Sequence, residues 1–493
     1  MIRVRHLAWV IVVAAAVAVL AVGVGRSPTG LRTAASSLTA AQTGAWGTAR
    51  EVPGLAGFNQ YGLSAVNSIS CPAPGNCTAG GFYDDRSRRQ QAFVVREVNG
   101  VWRSAVAIPG LAALNQGGGA AVISLSCPSV GNCSAGGAYE DRQKRGQPFV
   151  ANEVHGVWHA AMRVPGVPAL GQIGRATVTS VSCASVGNCS AGGSYGTVVG
   201  ITWPFRAFVV SEVHGVWRTA IQVPGLAALN VGLNGQVSSV SCGAAGNCAA
   251  SGYFADKMGN LHGFLTVQVA GRWHAAIRVP GIAGGVQIGS ATADSLSCAS
   301  PGNCASGSDY VDSADHWQAY LVNEVRGSWH SSVEVPGTAA LNEGNNAMVV
   351  AVSCVSPGNC AAGGHYASTL GHTQPFVVNE VNGSWQRAVQ VRGPAAGNTA
   401  GVGSVEGISC TSPGNCTAGG GYLDDLGRAQ AFVLTEVNGT WQPSIEVPGT
   451  AALNQGGRAT VGSVSCASPG KCSAGGSYTA KNGYDVAFLV NEG

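Results

Sequence analysis

A chain of 493 residues would, at an ordinary domain size, suggest about three domains, yet 73 of its residues are Gly and only 10 % are charged. Disorder is excluded by a hydrophobic content of 45 % with a net charge of +3. With 27 basic against 24 acidic residues there is no concentrated basic footprint, so no nucleic-acid partner is expected.

Arg3 and Arg5 precede an apolar stretch from Leu7 to Gly25 that Arg26 closes. This reads as a signal peptide or an N-terminal membrane anchor over residues 1–25. Either places the remainder of the chain outside the cytoplasmic membrane, secreted or membrane-anchored. Residues 26–45, rich in Ser, Thr, Ala and Gly, read as a flexible linker.

From there the chain is a repeat. Trp46, Trp102, Trp158, Trp217, Trp273, Trp329, Trp385 and Trp441 recur at intervals of 56 residues, with one of 59. All 16 Cys fall in the same phase as C-x5-C pairs: Cys71 with Cys77, Cys127 with Cys133, Cys183 with Cys189, Cys242 with Cys248, Cys298 with Cys304, Cys354 with Cys360, Cys410 with Cys416 and Cys466 with Cys472. In an exported chain these pairs predict eight local disulfides, because no His travels with them to complete a zinc set. A loop this short contributes about 2 kcal/mol through the unfolded state, so each is expected to act as a local staple.

One unit predicts four short strands, A to D. Strand A runs over Val66–Ser70 to Cys71, strand B from Cys77 to Tyr83, and strand C over Phe93–Val98. Asn99-Gly100 supplies a two-residue hairpin turn, and strand D continues from Val101-Trp102 to Ile108, where Pro109-Gly110 stops it. The last unit ends after its strand C at Gly493, and the missing strand D stands at the other end, Trp46 to Gly54. The expectation is an all-β, single eight-bladed β-propeller over residues 46–493. Its blades are four-stranded and antiparallel, and the N-terminal strand completes the last of them. A monomeric ring is expected.

The chain resembles β-propeller repeat proteins across residues 46–493. Its S-x-S-C-x5-C-x-A-G-G-x-Y unit, as in Ser124 to Tyr139, is similar to secreted bacterial repeat proteins of mostly unassigned function. The G-H…W-D signature of WD repeats and the S-x-D-x-G-x-x-W box of sialidase-type propellers are absent. The resemblance therefore implies the fold and transfers no active site.

Residues repeated eight times are expected to pack blades: the Trp, the strand-C Phe (Phe93 and its equivalents), and Tyr83 and its equivalents. Glu97 faces Trp102 across the C–D hairpin and is read as a partner for a backbone or indole N–H. Function should lie in what differs between blades. Strand alternation places the A–B and C–D turns on one face and the D–A and B–C loops on the other. The D–A loops carry amides, Asn59, Gln60, Asn115, Gln116, Gln172, Asn230, Gln287, Asn342, Asn454 and Gln455, which either ring the channel mouth as a sugar- or peptide-binding set or cap the loop backbone. The B–C loops add Arg86, Arg88, Arg89, Arg142, Lys144 and Arg145 in blades 1 and 2. Blade 5 has Asp309, Asp312 and Asp315, and an insertion in blade 3 exposes Trp203. The S-x-S-C serines have no matching His–Asp pair, and His365 with His372 lacks a third ligand, so no catalytic residue, metal or cofactor is assigned. These features favour a non-catalytic binding or scaffolding propeller for cell-surface polysaccharide or protein. The alternatives are a hydrolase or lyase acting on a glycan at the channel mouth, and a purely structural surface component.

Overall fold

The computed structural model describes residues 44–493 apart from 59–61, 171–172, 198–203, 282–290, 370–371 and 393–401. The expected signal or anchor segment lies outside the described residues, as does most of the linker. Among the described residues no helix is long and apolar enough to cross a membrane.

The structure is all-β and built from eight copies of one antiparallel unit. In the first, strand A is Ser64–Ala73, B is Asn76–Asp84, C is Gln90–Val98, and D is two short pieces, Val101–Trp102 and Val106–Ala107, both paired with C. The eighth unit has A at Ala459–Ser468, B at Lys471–Thr479 and C at Asp485–Asn491. Its fourth strand is Arg50–Glu51 from the start of the chain, with a further bridge from Trp46 to Glu492. The second and third units share one continuous sheet only because Arg175 bridges to Gly146.

Two details depart from the simple reading. Strand D is bulged, because Trp102 opposes Glu97 while Val106 opposes Val94, which leaves one extra residue on the outer strand. The freed Ala105 N–H donates to Pro53 O of the preceding unit at 2.7 Å, and the same bond recurs from Ala161 to Pro109 and from Ala49 to Pro448. The D–A loops contain single helical turns, such as Leu111–Leu114 and Thr450–Leu453, each entered through a left-handed Gly. Apolar periodicity does not reveal a helix of four residues.

Adjacent units are joined at the inner strands by the S-x-S-C serines. Ser70 Oγ accepts from Cys127 N, Ser126 from Cys183 N, Ser182 from Cys242 N, Ser241 from Cys298 N, Ser297 from Cys354 N, Ser353 from Cys410 N and Ser409 from Cys466 N. Ser465 Oγ accepts from Cys71 N at 3.0 Å, so the series leads from each unit to the next and from the eighth to the first. A hydroxyl here satisfies an inner-strand amide that has no partner in its own sheet. That is the role of these serines.

All eight expected disulfides are present, each joining strand A to strand B beside their shared turn. Their reading as purely local staples needs correction at the strand-B cysteines. Cys77, Cys133, Cys189, Cys248 and Cys472 are buried, and the sulfur of each meets a strand-B hydroxyl of the preceding unit. Cys133 Sγ lies 3.4 Å from Thr78 Oγ1, Cys189 Sγ 3.3 Å from Ser134 Oγ and Cys248 Sγ 3.4 Å from Ser190 Oγ. Cys472 Sγ lies 3.3 Å from Thr417 Oγ1, and Cys77 Sγ 3.3 Å from Ser473 Oγ, again from the eighth unit to the first. An oxidised sulfur has no proton, so the hydroxyl is the donor in each case. These five sulfurs therefore also seat one unit on the next, because stacking brings strand B against a Ser or Thr of its neighbour, a position held by Ala249, Ala305 and Ala361 in the other three units.

Eight disulfides with no free Cys suit an oxidising extracellular environment. The strand-C aromatics Phe93, Phe149, Phe208, Phe264, Tyr320, Phe376, Phe432 and Phe488 are sealed from solvent between units. Burying each contributes about 1.5–3 kcal/mol.

Candidate functional site

The amides of the D–A loops divide into two sets. Asn115, Asn230, Asn342 and Asn454 are buried, and each donates its Nδ2–H to a strand-C carbonyl, those of Gln90, Phe205, Trp317 and Ala429. The Oδ1 atoms of Asn115, Asn230 and Asn342 accept the N–H of Gly119, Asn234 and Asn346. In this arrangement the asparagines lock the loop and are not presented to solvent. Their neighbours Gln116 and Gln455 are exposed, tied only to loop carbonyls. Asn59, Gln60, Gln172, Gln287 and Trp203 lie outside the described residues.

Part of the loop charge is likewise built into turns, while Arg86, Arg88 and Arg142 are exposed. Asp312 Oδ1 accepts the N–H of Ala314 and His316, and Asp85, Asp141, Asp256 and Asp424 cap their own B–C loops in the same way. Arg89 donates to the carbonyls of Asn115 and Gln116, and Arg145 pairs with Asp141 at 2.8 Å. Asp309 belongs elsewhere: it sits on strand B of the fifth unit, Asn303–Val311, and not in the loop.

Two columns of residues on strands A and B vary where everything else repeats. One is the residue bulged out of strand A: Asn67, Ile123, Thr179, Ser238, Asp294, Val350, Glu406 and Gly462. The other precedes the buried strand-B aromatic: Phe82, Ala138, Ser194, Tyr253, Asp309, His365, Gly421 and Ser477. In the fourth to seventh units these columns hold Tyr253, Asp294, Asp309, His365 and Glu406.

The cause of the local geometry is a broken glycine rule. Strand B carries a Gly at the position where a Cβ would meet the strand-A carbonyl of its own unit at 1.9–2.0 Å, as at Gly81, Gly137, Gly193, Gly252, Gly364, Gly420 and Gly476. The fifth unit has Ser308 there, fully buried. Strand A of that unit is accordingly interrupted: Ala291 still bridges to Tyr310, and the continuous strand resumes at Ser295 for only 6 residues, against 10 in the unit after it. In the gap Thr292 N–H still donates to Asp309 O at 3.2 Å, and the side chains of Thr292 and Asp294 turn to Ser308 and Asp309. Thr292 Oγ1 lies 2.6 Å from Asp294 Oδ2, 2.8 Å from Asp309 Oδ1 and 2.7 Å from Ser308 Oγ. Ser308 Oγ lies 2.8 Å from Asp294 Oδ2, and Ser238 of the fourth unit donates to Asp294 Oδ1 at 2.9 Å.

Two hydroxyl protons cannot serve all of these oxygen contacts, so the set favours the protonated form of Asp309. Burial and the neighbouring Asp294 raise the Asp309 carboxyl to about 6, against the hydrogen bonds of Thr292 and Ser308 that lower it. Burial, aided by Asp294, raises the Tyr253 hydroxyl to about 12. Burial lowers His365 to about 4, leaving a neutral imidazole at neutral pH, and raises Glu406, whose carboxyl accepts from Ser404. The sequence signal for this group was present: aligning the eight copies exposes both columns and the Ser at a Gly position.

On the opposite face, beside the disulfides, a second network joins the units. Asn379 donates to Glu436 of the next unit, and Trp441 Nε1–H donates back to Asn379 Oδ1 at 3.0 Å. The same triad is formed by Asn152, Glu212 and Trp217, by Asn323, Glu380 and Trp385, and by Asn491, Glu97 and Trp102. The register of Glu97 opposite Trp102 is as expected, but its carboxylate is held by the preceding unit's asparagine and not by the indole.

No protein-family model matches the chain, and neither does any curated protein. Among solved structures it is similar to the BP39L lectin of Burkholderia pseudomallei, at 15 % identity over 78 % of this chain and 100 % of the lectin, TM-score 0.42. A PL25 ulvan lyase matches at 12 % identity over 73 % of this chain and 90 % of that one, TM-score 0.43. A Trypanosoma rangeli sialidase matches at 10 % identity over 80 % and 56 %, TM-score 0.36. Likeness at this level does not bear on what the chain binds.

Proposed function

We propose that this protein is an extracytoplasmic, non-catalytic binding propeller. Its ligand is a cell-surface polysaccharide or protein, held on the face of the D–A and B–C loops where the inner strands begin. The observation that carries the reading is the fifth unit's exchange of a structural Gly for Ser308, which brings Thr292, Asp294, Ser308 and Asp309 together in a scaffold that otherwise repeats. A position that gives up a packing rule kept by seven sister units is a candidate for function. Carboxyls, hydroxyls, an imidazole and a tyrosine from the fourth to seventh units suit a polyhydroxyl ligand, with the exposed Gln116 and Gln455 on the same face. The eight disulfides fit a cell-surface role.

The test is a binding screen of the oxidised, exported chain against bacterial cell-wall polysaccharides and other cell-surface glycans. Asp309→Asn and Tyr253→Phe are expected to weaken a polysaccharide hit with the fold intact by circular dichroism. A hit that survives both, and also Glu406→Gln, places the site elsewhere.

A glycan-cleaving enzyme is the second reading, favoured by the raised carboxyl of Asp309 beside Asp294, the pairing a general acid uses. Release of new reducing or unsaturated ends from a bound glycan, lost in Asp309→Asn, would replace binding by catalysis.

A further inference from the structure

The tips of the B–C loops carry a second departure from a glycine rule. In the first unit the tip is a turn closed by its own aspartate: Asp85 O accepts from Arg88 N at 2.9 Å, and Asp85 Oδ1 accepts from Ser87 N and Arg89 N. Asp141 holds Lys144, Gln143 and Arg145 in the same way in the second. The last residue of the tip is left-handed wherever the tip is described. It is Gly259 in the fourth unit, Gly427 in the seventh and Gly483 in the eighth. The first and second units place Arg88 and Lys144 there, at φ 58° and 60°, where a Cβ carries a steric cost that glycine avoids.

That cost holds charge out in solvent. Arg86, Arg88 and Arg142 are exposed, and their side chains make no hydrogen bond or ion pair among the described residues. Lys144 is exposed too, 4.0 Å from Glu140. One D–A loop joins the two tips. Arg89 donates to its Asn115 and Gln116 carbonyls, and its Gly117 N–H donates at 2.9 Å to the carbonyl of Glu140, the residue before Asp141. Arg175 of the third unit, again exposed, bridges to Gly146 just past the second tip. Unpaired cations therefore follow one another over three consecutive units. The loops of the fifth to seventh units carry Asp312, Asp315, Glu343 and Asp425 instead, so the basic arc is local in a chain whose net charge is only +3.

The geometry points to this arc as the docking surface for an anionic polysaccharide, whose carboxylate or sulfate groups the guanidinium forks bind in succession. The residues between the cations favour a sugar chain over a lipid surface. The middle of the tip is Ser87 in the first unit and Gln143 in the second, with the exposed Gln116 on the loop between them. At the same place the fourth and seventh units have Met258 and Leu426, 83 % and 75 % exposed. Apolar tips are what a bilayer takes up, whereas polar ones offer hydrogen bonds to sugar hydroxyls. The aspartate-closed turns also hold the backbone beneath Arg88 and Lys144 before any ligand arrives, which lowers the ordering cost of binding. This inference rests on the reading of the loop face as polysaccharide-binding and adds the charge of the polymer. It uses no residue of the fifth unit's carboxyl cluster.

The experiment measures binding of the oxidised chain to polygalacturonate, dextran sulfate and neutral dextran by isothermal titration calorimetry at two salt concentrations. At least one of the two polyanions is expected to bind, more weakly at the higher salt, with dextran silent. Arg88→Gly combined with Lys144→Gly removes both charges while giving each turn the residue its φ favours. This double variant is expected to keep or raise the thermal midpoint and to weaken the polyanion at least about five-fold. Lys257→Gln with Lys481→Gln removes the same charge from exposed tips outside the arc, and is expected to change affinity less than about two-fold. No polyanion binding, an equal loss in the Lys257 and Lys481 variant, a lowered midpoint in the glycine variant, or tighter binding to phosphatidylglycerol vesicles than to either polyanion overturns the assignment. Asp309→Asn separates the two sites. A neutral glycan lost in Asp309→Asn, with no polyanion bound, removes the arc alone. Polyanion binding lost in the glycine variant, with no ligand sensitive to Asp309→Asn, supports the arc and removes the carboxyl cluster.

Discussion

The fifth and seventh units are built on the same plan and differ at both ends of the sheet. In the seventh, Gly420 lets strand A run close beside strand B, and Asn379 of the sixth unit ties Glu436 to Trp441. In the fifth, Ser308 stands where strand A's ladder is interrupted between Ala291 and Ser295, and Val267 of the fourth unit leaves Glu324 and Trp329 without their amide. The seventh unit shows what the scaffold requires. The fifth shows where the protein tolerates a cost, and at Ser308 a ligand can repay it.

That contrast can be broken most severely with Gly420→Ser. A side chain there meets the Ser404 carbonyl at 1.9 Å, and the substitution is expected to destabilise by about 3 kcal/mol in urea unfolding. The reverse change, Ser308→Gly, is expected to leave stability equal or higher while abolishing ligand binding at the carboxyl cluster. A destabilised Ser308→Gly protein would mean the cluster is structural.

Next in size is Asn379→Val, which copies the fourth–fifth interface into the sixth–seventh. It leaves a buried carboxyl and a half-buried indole unpaired, for an expected loss of about 2 kcal/mol by the same measurement. Val267→Asn repairs the other interface and is expected to add about 1 kcal/mol, with the Glu324 carboxyl moving down as it gains a donor, seen by carbon NMR.

The smallest effect is the pH response. Burial holds Glu324 and Glu436 at about 7 when folded, above the ordinary value of 4.5. The neutral carboxyl is therefore the form the fold prefers. The stability it contributes is complete below the unfolded value and declines as pH rises toward the folded one. The urea midpoint is expected to fall between about pH 5 and about pH 8, and Glu324→Gln to flatten part of that slope. A midpoint that rises across this range would contradict the burial of these groups as uncharged acids.

Much of this architecture was legible in the residues. The C-x5-C pairs, the Asn-Gly turns and the strand-C aromatics each announce a local structure, because a short disulfide, a hairpin turn and a strand depend on neighbours a few residues away. Asn99 and Gly100 do adopt the positive φ that their turn requires, 51° and 80°. The site was less legible. The loop asparagines drew attention because they recur, yet recurrence is what makes Asn115 and Asn454 locks of the loop. Asp309 looked like a loop acid because its strand, Asn303–Val311, runs further than the apolar pattern suggests.

The sequence by itself determined the repeat, its four strands, the pairing of the cysteines and the exchange of a strand between the chain ends, since all of these derive from spacing. Only the tertiary structure decided which residues meet across units: that Asn379 serves Glu436 and not the adjoining Glu380, that Ser465 reaches Cys71, that Thr78 reaches the sulfur of Cys133, and that Ser308 draws Asp294 toward Asp309. The physical reason is that these contacts join residues more than 10 positions apart in the chain, and in one case 394, through stacking and displacement of sheets, which one-dimensional spacing does not encode.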